Sequence, residues 1–404
     1  MTYYFTSITA NYFAKARVLC KTLKKYNKEA KFVLGISDSI PDFVELSEEP
    51  FDEVLEAKNL KQIENKDSFF FKHTVTELCT AVKPLMAYEI IQKEDADSVI
   101  YLDPDIAVFD SLNELENMFS EGSILLTPHQ LVPEKEDIYI RENEILFLKR
   151  GTYNFGFFGV KKDEQGLSFL NWWADRLKNY CFDDNYEVLD ELTHDGLLGL
   201  FTDQKWADLI PSYFDKYKII REPGYNVCTW NLSGRTVKIK GDKIFVNNKP
   251  LYFFHFSGFD SGAHHNELRK SLTYYPHNSD VQKLSLWYEE QLKQNGQKVF
   301  EKIQWENTKY SNGEVIKNFE RKLFHIRKDV HKLFQNPYQV TDGLCFYNWV
   351  RTEYKRYFLD KKPGESYIEE NRKITSAINR LFPIKSKRRW IIKKIYNKLF
   401  KNCG

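Results

Sequence analysis

Cysteine is sparse in this 404-residue chain, and none of it falls in a C-x-x-C pair. Cys20, Cys79, Cys181, Cys228, Cys345 and Cys403 are scattered, which argues against a structural zinc site and fits reduced thiols. No stretch approaches the roughly 20 uncharged apolar residues that span a bilayer. The amino terminus runs directly into Tyr3–Ile8, with neither a basic leader nor a small-residue cleavage site. A cytoplasmic location is therefore expected. Familiar catalytic signatures are missing as well. There is no G-x-G-x-x-G for a dinucleotide and no Walker lysine motif. G-x-S-x-G and H-E-x-x-H are also missing. Acidic residues disappear from Asn371 onward, where eleven Lys and Arg stand without an Asp or Glu. The net charge of +2 thus conceals an acidic body, with 48 basic against 57 acidic residues, and a strongly basic tail.

What is present suffices for a large core: 42% of residues are hydrophobic and 16% aromatic. The length suggests two or three domains, or one catalytic unit with an appendage. Residues 1 to about 130 alternate as strand and helix, which implies a parallel, doubly wound sheet. Tyr3–Ile8 reads as a strand, followed by a polar turn in which Asn11 can cap a helix running to about Tyr26. Further strands are expected at Lys31–Ile36, Ser98–Leu102, Ile124–Pro128 and Asn154–Val160, with helices over Leu78–Ile91 and Leu167–Lys178. Residues 241–256 read as a hairpin turning at Asn247-Asn248 and running on to Phe256. Beyond about 265 the pattern becomes polar and helical, notably over Val281–Glu306 and Gly313–Phe334. The divisions implied are 1–265, 266–340 and a tail of 341–404.

The most informative stretch is Ser98-Val-Ile-Tyr-Leu-Asp-Pro-Asp-Ile-Ala-Val-Phe109. Pro104 disfavours helical geometry at Asp103, so the chain is expected to stay extended there. Residues i and i+2 of an extended segment face the same way. Asp103 and Asp105 would then point together from the carboxyl edge of a sheet, where open α/β folds bind ligands. Two carboxylates that close stay ionised only around a cation, and hard oxygen ligands suit Mg²⁺ or Mn²⁺. Read alone, such a pair is more often a solvated turn after a strand. His255, in Phe253-Phe-His-Phe-Ser-Gly258, is able to complete an octahedral set, although a lone histidine is often only structural. Thr6 to Tyr12 lies where a first strand meets a first helix, an edge that cradles nucleotides. Lys83 is placed to meet a diphosphate or a sugar hydroxyl, or simply solvent. Asp203 and Gln204 precede an apolar run; Asp203 is either a helix cap or a cleft residue. Gln204 offers an uncharged amide, suited to lie beside a carbon gaining positive character or to orient an acceptor hydroxyl.

Taken in order, these segments resemble the nucleotide-sugar glycosyltransferases of the GT-A fold type. The nearest likeness is to glycosyltransferase family 8 and related bacterial enzymes of surface-glycan synthesis. The resemblance covers roughly residues 1–260 and rests on Tyr101–Ile106, Asn154–Gly159, Asp203-Gln204, Arg221–Asn231 and Phe254–Gly258. It implies a mostly parallel, Rossmann-like α/β sheet flanked by helices, with a helical C-terminal extension. It also implies a retaining transfer of a hexose from a nucleoside-diphosphate sugar, such as a UDP-sugar. The acceptor would be a glycan, a lipid-linked glycan or a glycoprotein. Asp103, Asp105 and His255 would hold Mn²⁺ or Mg²⁺. Thr6, Ser7, Ile8, Thr9, Ala10 and Asn11 would line the base and ribose, with Asp103 near the ribose or sugar. Lys83 would touch the donor, Asn154 and Asp203 the sugar hydroxyls, and Gln204 the face of the anomeric carbon. Two positions depart from the pattern. Gly258 leads to Phe259-Asp-Ser-Gly262 where Lys-Pro-Trp is usual, and Lys83 replaces a common arginine.

In the tail, Ile391, Ile392, Ile395, Tyr396, Leu399 and Phe400 share one helical face, opposite Lys393, Lys394, Lys398 and Lys401. Such a basic amphipathic helix over 385–401 suits an anionic membrane surface or the protein's own acidic body. Two other functions fit less of the chain. A sugar nucleotidyltransferase also pairs aspartates around Mg²⁺. A nucleic-acid binder would use the tail, but the acidic remainder offers no basic face. No nucleic-acid partner is expected.

Overall fold

Tyr3–Ile8 forms the expected strand, β1 (Thr2–Ile8), in the computed structural model, which describes residues 1–183 and 199–358. β1 lies parallel to β2 (Lys31–Ile36), which in turn carries the short edge strand β3 (Glu53–Glu56). On its other side β1 runs parallel to β4 (Ser98–Leu102). β4 leads into β5 (Ile106–Val108), which leaves the main sheet. β6 (Ile124–Pro128) and β7 (Tyr153–Lys161) pair antiparallel, β7 also pairs antiparallel with β4, and β8 (Tyr217–Ile219) runs parallel to β6. The sheet order is β3-β2-β1-β4-β7-β6-β8. It is mostly parallel, as expected, with β7 as the reversed strand.

That reversal matters for the site. Because β7 runs against its neighbours, its start lies at the edge where β4 ends; Leu102 pairs with Phe157 and Pro128 with Tyr153. The order also switches direction between β1 and β4, and ligands enter open α/β sheets outside the carboxyl ends at such a point.

Strands covered on both faces read as continuous apolar runs, and β4 is buried throughout. Tyr3, Phe5, Val99, Tyr101 and Phe158 pack into one layer with Trp173 and helix residues Leu85 and Ile90. Tyr4, Phe32, Ile100, Leu102 and Phe157 fill the opposite layer with Leu19 and Leu23. Trp173, on the helix Glu164–Tyr180, is fully buried between Phe158 and Phe169. Full burial of such a side chain contributes at least ~3 kcal/mol.

Several expected elements are revised. Helix α1 (Phe13–Tyr26) follows a 3₁₀ turn at Ala10–Tyr12, and Asn11 sits inside that turn rather than capping; its amide oxygen accepts from Thr9 Oγ1 at 2.7 Å. After α2 (Lys66–Lys72), the helix expected over Leu78–Ile91 is two helices, α3 (Val75–Ala81) and α4 (Lys83–Ile91). Pro84 lacks an N–H and is tolerated only in a helix's first turn, so a new helix begins there. The expected hairpin is also rearranged. β9 (Val237–Lys240), β10 (Lys243–Val246) and β11 (Lys249–Pro250) form a small sheet. Asn247 and Asn248 take the left-handed conformation, at φ 50° and 64°, which a two-residue hairpin turn needs. Phe253–His255 then departs as β12 to pair antiparallel with β5. Gly296, at φ 93°, ends the helix Asp280–Gln294 that was expected to continue to Glu306. Gly313–Phe334 resolves into the helices Asn318–Ile326 and Lys328–Leu333.

Met1–Phe346 form one compact unit and Tyr347 onward a second. Within the first, Arg321 donates to the carbonyl oxygens of Phe71 and His73, and Lys322 pairs with the buried carboxylate of Glu77. Glu77 also closes a capping box with Thr74 at the start of α3. The five described cysteines are free. Among the described residues no helix is long and apolar enough to cross a membrane. The basic segment 385–401 lies outside the described residues.

Candidate active site

Asp103 directly follows β4, its N–H donating to Gly156 O at 2.8 Å. The chain does not stay extended beyond it. Ile106 N donates to Asp103 O at 3.0 Å, so Asp103–Ile106 is a β-turn with Pro104 in its second position. Proline disfavours helix at the preceding residue, but its fixed φ equally favours a turn. The two carboxylates nevertheless meet, because the turn folds Asp105 back toward β12. His255 pairs with Ile106, and Phe256 N donates to Asp105 O at 2.8 Å.

The result is a three-residue cluster. His255 Nε2 lies 3.0 Å from Asp105 Oδ1 and 3.6 Å from Asp103 Oδ2. One ligand atom from each residue lies within 4.8 Å of the others, and the second ring nitrogen, Nδ1, is buried without a hydrogen-bond partner. Two hard oxygens and an imidazole are a donor set that fits Mg²⁺ or Mn²⁺. Burial works to raise Asp105, but the adjacent His255 ring outweighs it and pulls the carboxyl down to about 2. Burial likewise opposes charge on His255, and Asp105 holds its pKa above the ordinary value.

Gly156 faces this cluster. A Cβ there would sit 2.5 Å from His255 Cε1 and 2.8 Å from both Asn154 Oδ1 and Asp103 Oδ2. Those contacts are closer than real Cβ atoms tolerate, so the glycine is what lets β7 pass behind the cluster. Gly156→Ala should displace the histidine or the carboxylate, with Mn²⁺ affinity falling ~10- to 100-fold, the usual cost of disturbing what orients metal ligands. Mn²⁺ calorimetry and thermal unfolding measured on one preparation check this. An alanine variant that binds Mn²⁺ as the wild type does would mean that the cluster does not hold the ion.

A second layer of charge lies beneath. Lys83, at the start of α4, is buried, with Nζ 2.9 Å from Asp203 Oδ2 and 3.4 Å from Asp103 Oδ1. It donates to Phe155 O at 3.0 Å and stands 4.3 Å over the Tyr101 ring. Burial opposes its charge, but the two aspartates outweigh this and keep its pKa above the usual lysine value. Burial raises the Asp203 carboxyl, with Lys83 acting against it. Asp203 makes no capping bond; Oδ1 accepts from Thr202 Oγ1 at 3.0 Å. Tyr101 OH, which sequence reasoning passed over, donates to Asp103 Oδ1 at 2.5 Å.

Asn154 and Gln204 both line the cavity, and both amides are heavily engaged. Asn154 Oδ1 accepts from Gly156 N at 3.1 Å and from Asn226 Nδ2 at 2.9 Å. Gln204 Oε1 accepts from Phe155 N at 3.1 Å, and Nε2 donates to Arg150 O at 3.0 Å. Gln204 thereby ties β7 to the helix Ile145–Arg150. Asn226 is held at φ 50° and also donates to Thr127 Oγ1 at 2.8 Å. The segment Arg221–Asn231 had pointed to this region without marking that residue.

These groups line a cavity of about 700 Å³ at the carboxyl edge of the sheet. Ser7, Ile8, Thr9 and Asn11 line it; Thr6 and Ala10 are buried behind them, with Ala10 N donating to Asp38 Oδ2 at 3.2 Å. The cavity extends to His129, Phe147, Trp230 and Lys270, none of which sequence reasoning singled out. Aromatic residues scattered through a sequence that is 16% aromatic carry no local signal of a shared surface.

Fold and site together define an α/β protein with a two-carboxylate, one-imidazole cluster in a deep cleft at the sheet's switch point. Against known proteins, no family model matches the chain. It is similar to the uncharacterized protein YfnF of Bacillus subtilis, 26% identical over 276 residues, spanning 63% of this chain and 81% of that one. It is also similar to YfnD of the same organism, 24% identical over 221 residues, 54% of this chain and 61% of the relative. Among solved structures it is similar to the galactosyltransferase LgtC in complex with donor and acceptor sugar analogs. That likeness has 16% identity and a TM-score of 0.39, covering 64% of this chain and 87% of that one. It is similar too to a glycosyltransferase involved in glycosylation of the major capsid of PBCV-1. There the identity is 12% and the TM-score 0.34, with coverages of 67% and 98%.

Proposed function

We propose that this protein is a metal-dependent, retaining glycosyltransferase of GT-A type. It moves a hexose from a nucleoside-diphosphate sugar, a UDP-sugar in the first instance, to a glycan, lipid-linked glycan or glycoprotein in surface-glycan synthesis. The observation that carries the reading is the convergence of Asp103, Asp105 and His255 within 4.8 Å in the wall of the cleft. A divalent ion held by those three residues would supply Lewis-acid stabilisation of negative charge on a phosphate oxygen.

The remaining roles belong to side chains of the chain itself. Ser7 to Asn11 receive the base and ribose at the end of β1, with Thr6 and Ala10 supporting them from behind. Lys83 acts from beneath, fixing Asp103 and Asp203 and offsetting their charge. Asn154 and Asp203 orient sugar hydroxyls. Gln204 lies toward the anomeric carbon and keeps β7 and the following wall in register. The stretch 266–340, which begins in a helix lining the cleft, is the acceptor-side or oligomerisation region.

A panel of nucleotide sugars incubated with the full chain and Mn²⁺, scored for the nucleotide released, tests the reading directly. Release of nucleoside diphosphate is expected for one donor class. Pyrophosphate-dependent chemistry instead would identify a sugar nucleotidyltransferase, and no turnover of any donor would remove the assignment. The anomeric configuration of the product, read by proton NMR couplings, decides retention. Gln204→Ala is expected to lower kcat by roughly 10- to 100-fold, as loss of a positioned polar group does. Donor KM should change less than kcat; the reverse split would make Gln204 a binding residue.

A further inference from the structure

At the end of the cavity away from Ser7–Asn11, three rings pack against one another to make a small aromatic shelf. His129 stacks on Phe147 with centroids 4.7 Å apart and planes within 14°. Trp230 lies 5.0 Å from His129 and 5.9 Å from Phe147. His129 is buried, whereas Phe147 and Trp230 are half-exposed toward the cavity they line. The shelf adjoins the residues assigned to the sugar. Asn154 Nδ2 is 3.3 Å from His129 Nε2, and the Arg150 carbonyl, three residues past Phe147, accepts from Gln204. A group lying on these rings would therefore stand beside the donor's sugar rather than its base.

Charge at this end is partly paired within the protein, while Arg150, which also lines the cavity, stands 5.2 Å over the Phe201 ring. Lys270 Nζ pairs with Glu142 Oε2 at 2.6 Å and approaches Glu267 Oε2 at 3.5 Å. Burial keeps the His129 ring neutral, its pKa pushed down to about 4. Among these charges lies an uncharged aromatic face with the Asn154 amide at its margin. Sites of that composition, apolar and aromatic with a few placed polar groups, orient small ligands of mixed character. An aromatic ring also offers a broad face of negative potential that favours contact with C–H groups. A pyranose has such a C–H face and a rim of hydroxyls; a peptide strand or a phosphate does not.

Resting on the glycosyltransferase reading, we infer that the His129–Phe147–Trp230 shelf is the acceptor subsite and that it takes a neutral pyranose, stacked on Trp230. The acceptor is then a saccharide end rather than a bare serine, threonine or lipid phosphate.

Saturation-transfer NMR on the full chain tests this, with methyl β-D-glucopyranoside and methyl β-D-galactopyranoside as probes and acetyl-serine amide as the peptide control. Mn²⁺ and UDP are present to fill the donor end. Expected is transfer to the ring C–H protons of at least one glycoside. It should fall at least fivefold in Trp230→Ala, return in Trp230→Phe, and be absent for the serine probe. UDP binding is measured separately by calorimetry. Glycosides that UDP displaces would belong in the donor end, which overturns the subsite. Silent glycosides alongside normal UDP binding overturn the subsite and leave the donor reading standing. A chain that fails to bind UDP overturns the donor reading, while the glycoside signals still decide whether the shelf holds a saccharide. Equal signals in Trp230→Ala and wild type also overturn the subsite.

Discussion

Asp105→Ala is expected to abolish donor turnover, with a loss on the order of 10³-fold or more. That corresponds to about 4 kcal/mol of transition-state stabilisation, a reasonable share of what a bound divalent ion contributes. Asp105 supplies one of three side chains in the cluster, and its removal leaves Asp103 and His255 as an incomplete set. The backbone should hold, because the Asp105 carbonyl, not its side chain, accepts from Phe256 N. A second readout separates folding from function. Mn²⁺ at a hundred times its dissociation constant stabilises a native state by about 2.7 kcal/mol. The wild-type chain should show that upward shift in unfolding temperature, and the variant should not. Retained turnover in Asp105→Ala would remove the metal assignment.

Lys83→Met is expected to be the most destabilising single change near the site, by about 3–5 kcal/mol, the usual cost of stripping one partner from a buried ion pair. Its ammonium is the close cation for Asp203 and also serves Asp103. Methionine fills much of the volume, so the loss is electrostatic and not a cavity. The sign with pH follows from Asp203. Its carboxyl is already raised by burial, and losing Lys83 raises it further. A carboxyl whose folded pKa exceeds its unfolded one binds the extra proton in the folded state, so stability falls as pH rises through that interval. The deficit of Lys83→Met should therefore be larger at pH 8 than at pH 5. Adding Asp203→Asn should recover much of it, as a double-mutant cycle would report. Denaturant midpoints for the four proteins at both pH values measure this. A pH-independent deficit, or one that Asp203→Asn does not relieve, would show that the pair is not what Lys83 supports.

Much of the scaffold was legible along the chain. β1, β2, β4, β6 and β7 all lie where buried apolar runs were read, and α1 and Glu164–Tyr180 where helical spacing was. Their signals are local, so a linear reading reaches them. β3 escaped notice because Glu53–Glu56 is a short, partly exposed edge strand whose composition resembles a loop. The continuous helix across Val82 and the long hairpin to Phe256 were misread for a common reason. Apolar periodicity does not say where a helix restarts or which partner a strand chooses.

The residue types of the site, paired aspartates after a buried strand and a histidine within an aromatic one, were determined by the sequence alone. So were the mostly parallel α/β class and the asymmetry of charge. Three things were decided only by tertiary structure. The reversal of β7 set Gly156 and Asn154 beside the end of β4. The capture of β12 by β5 carried His255 across about 150 residues of chain to Asp105. Folding also gathered His129, Phe147 and Trp230 onto one surface. Each depends on pairing between segments distant in the chain, where the free energy lies in contacts that no local pattern encodes.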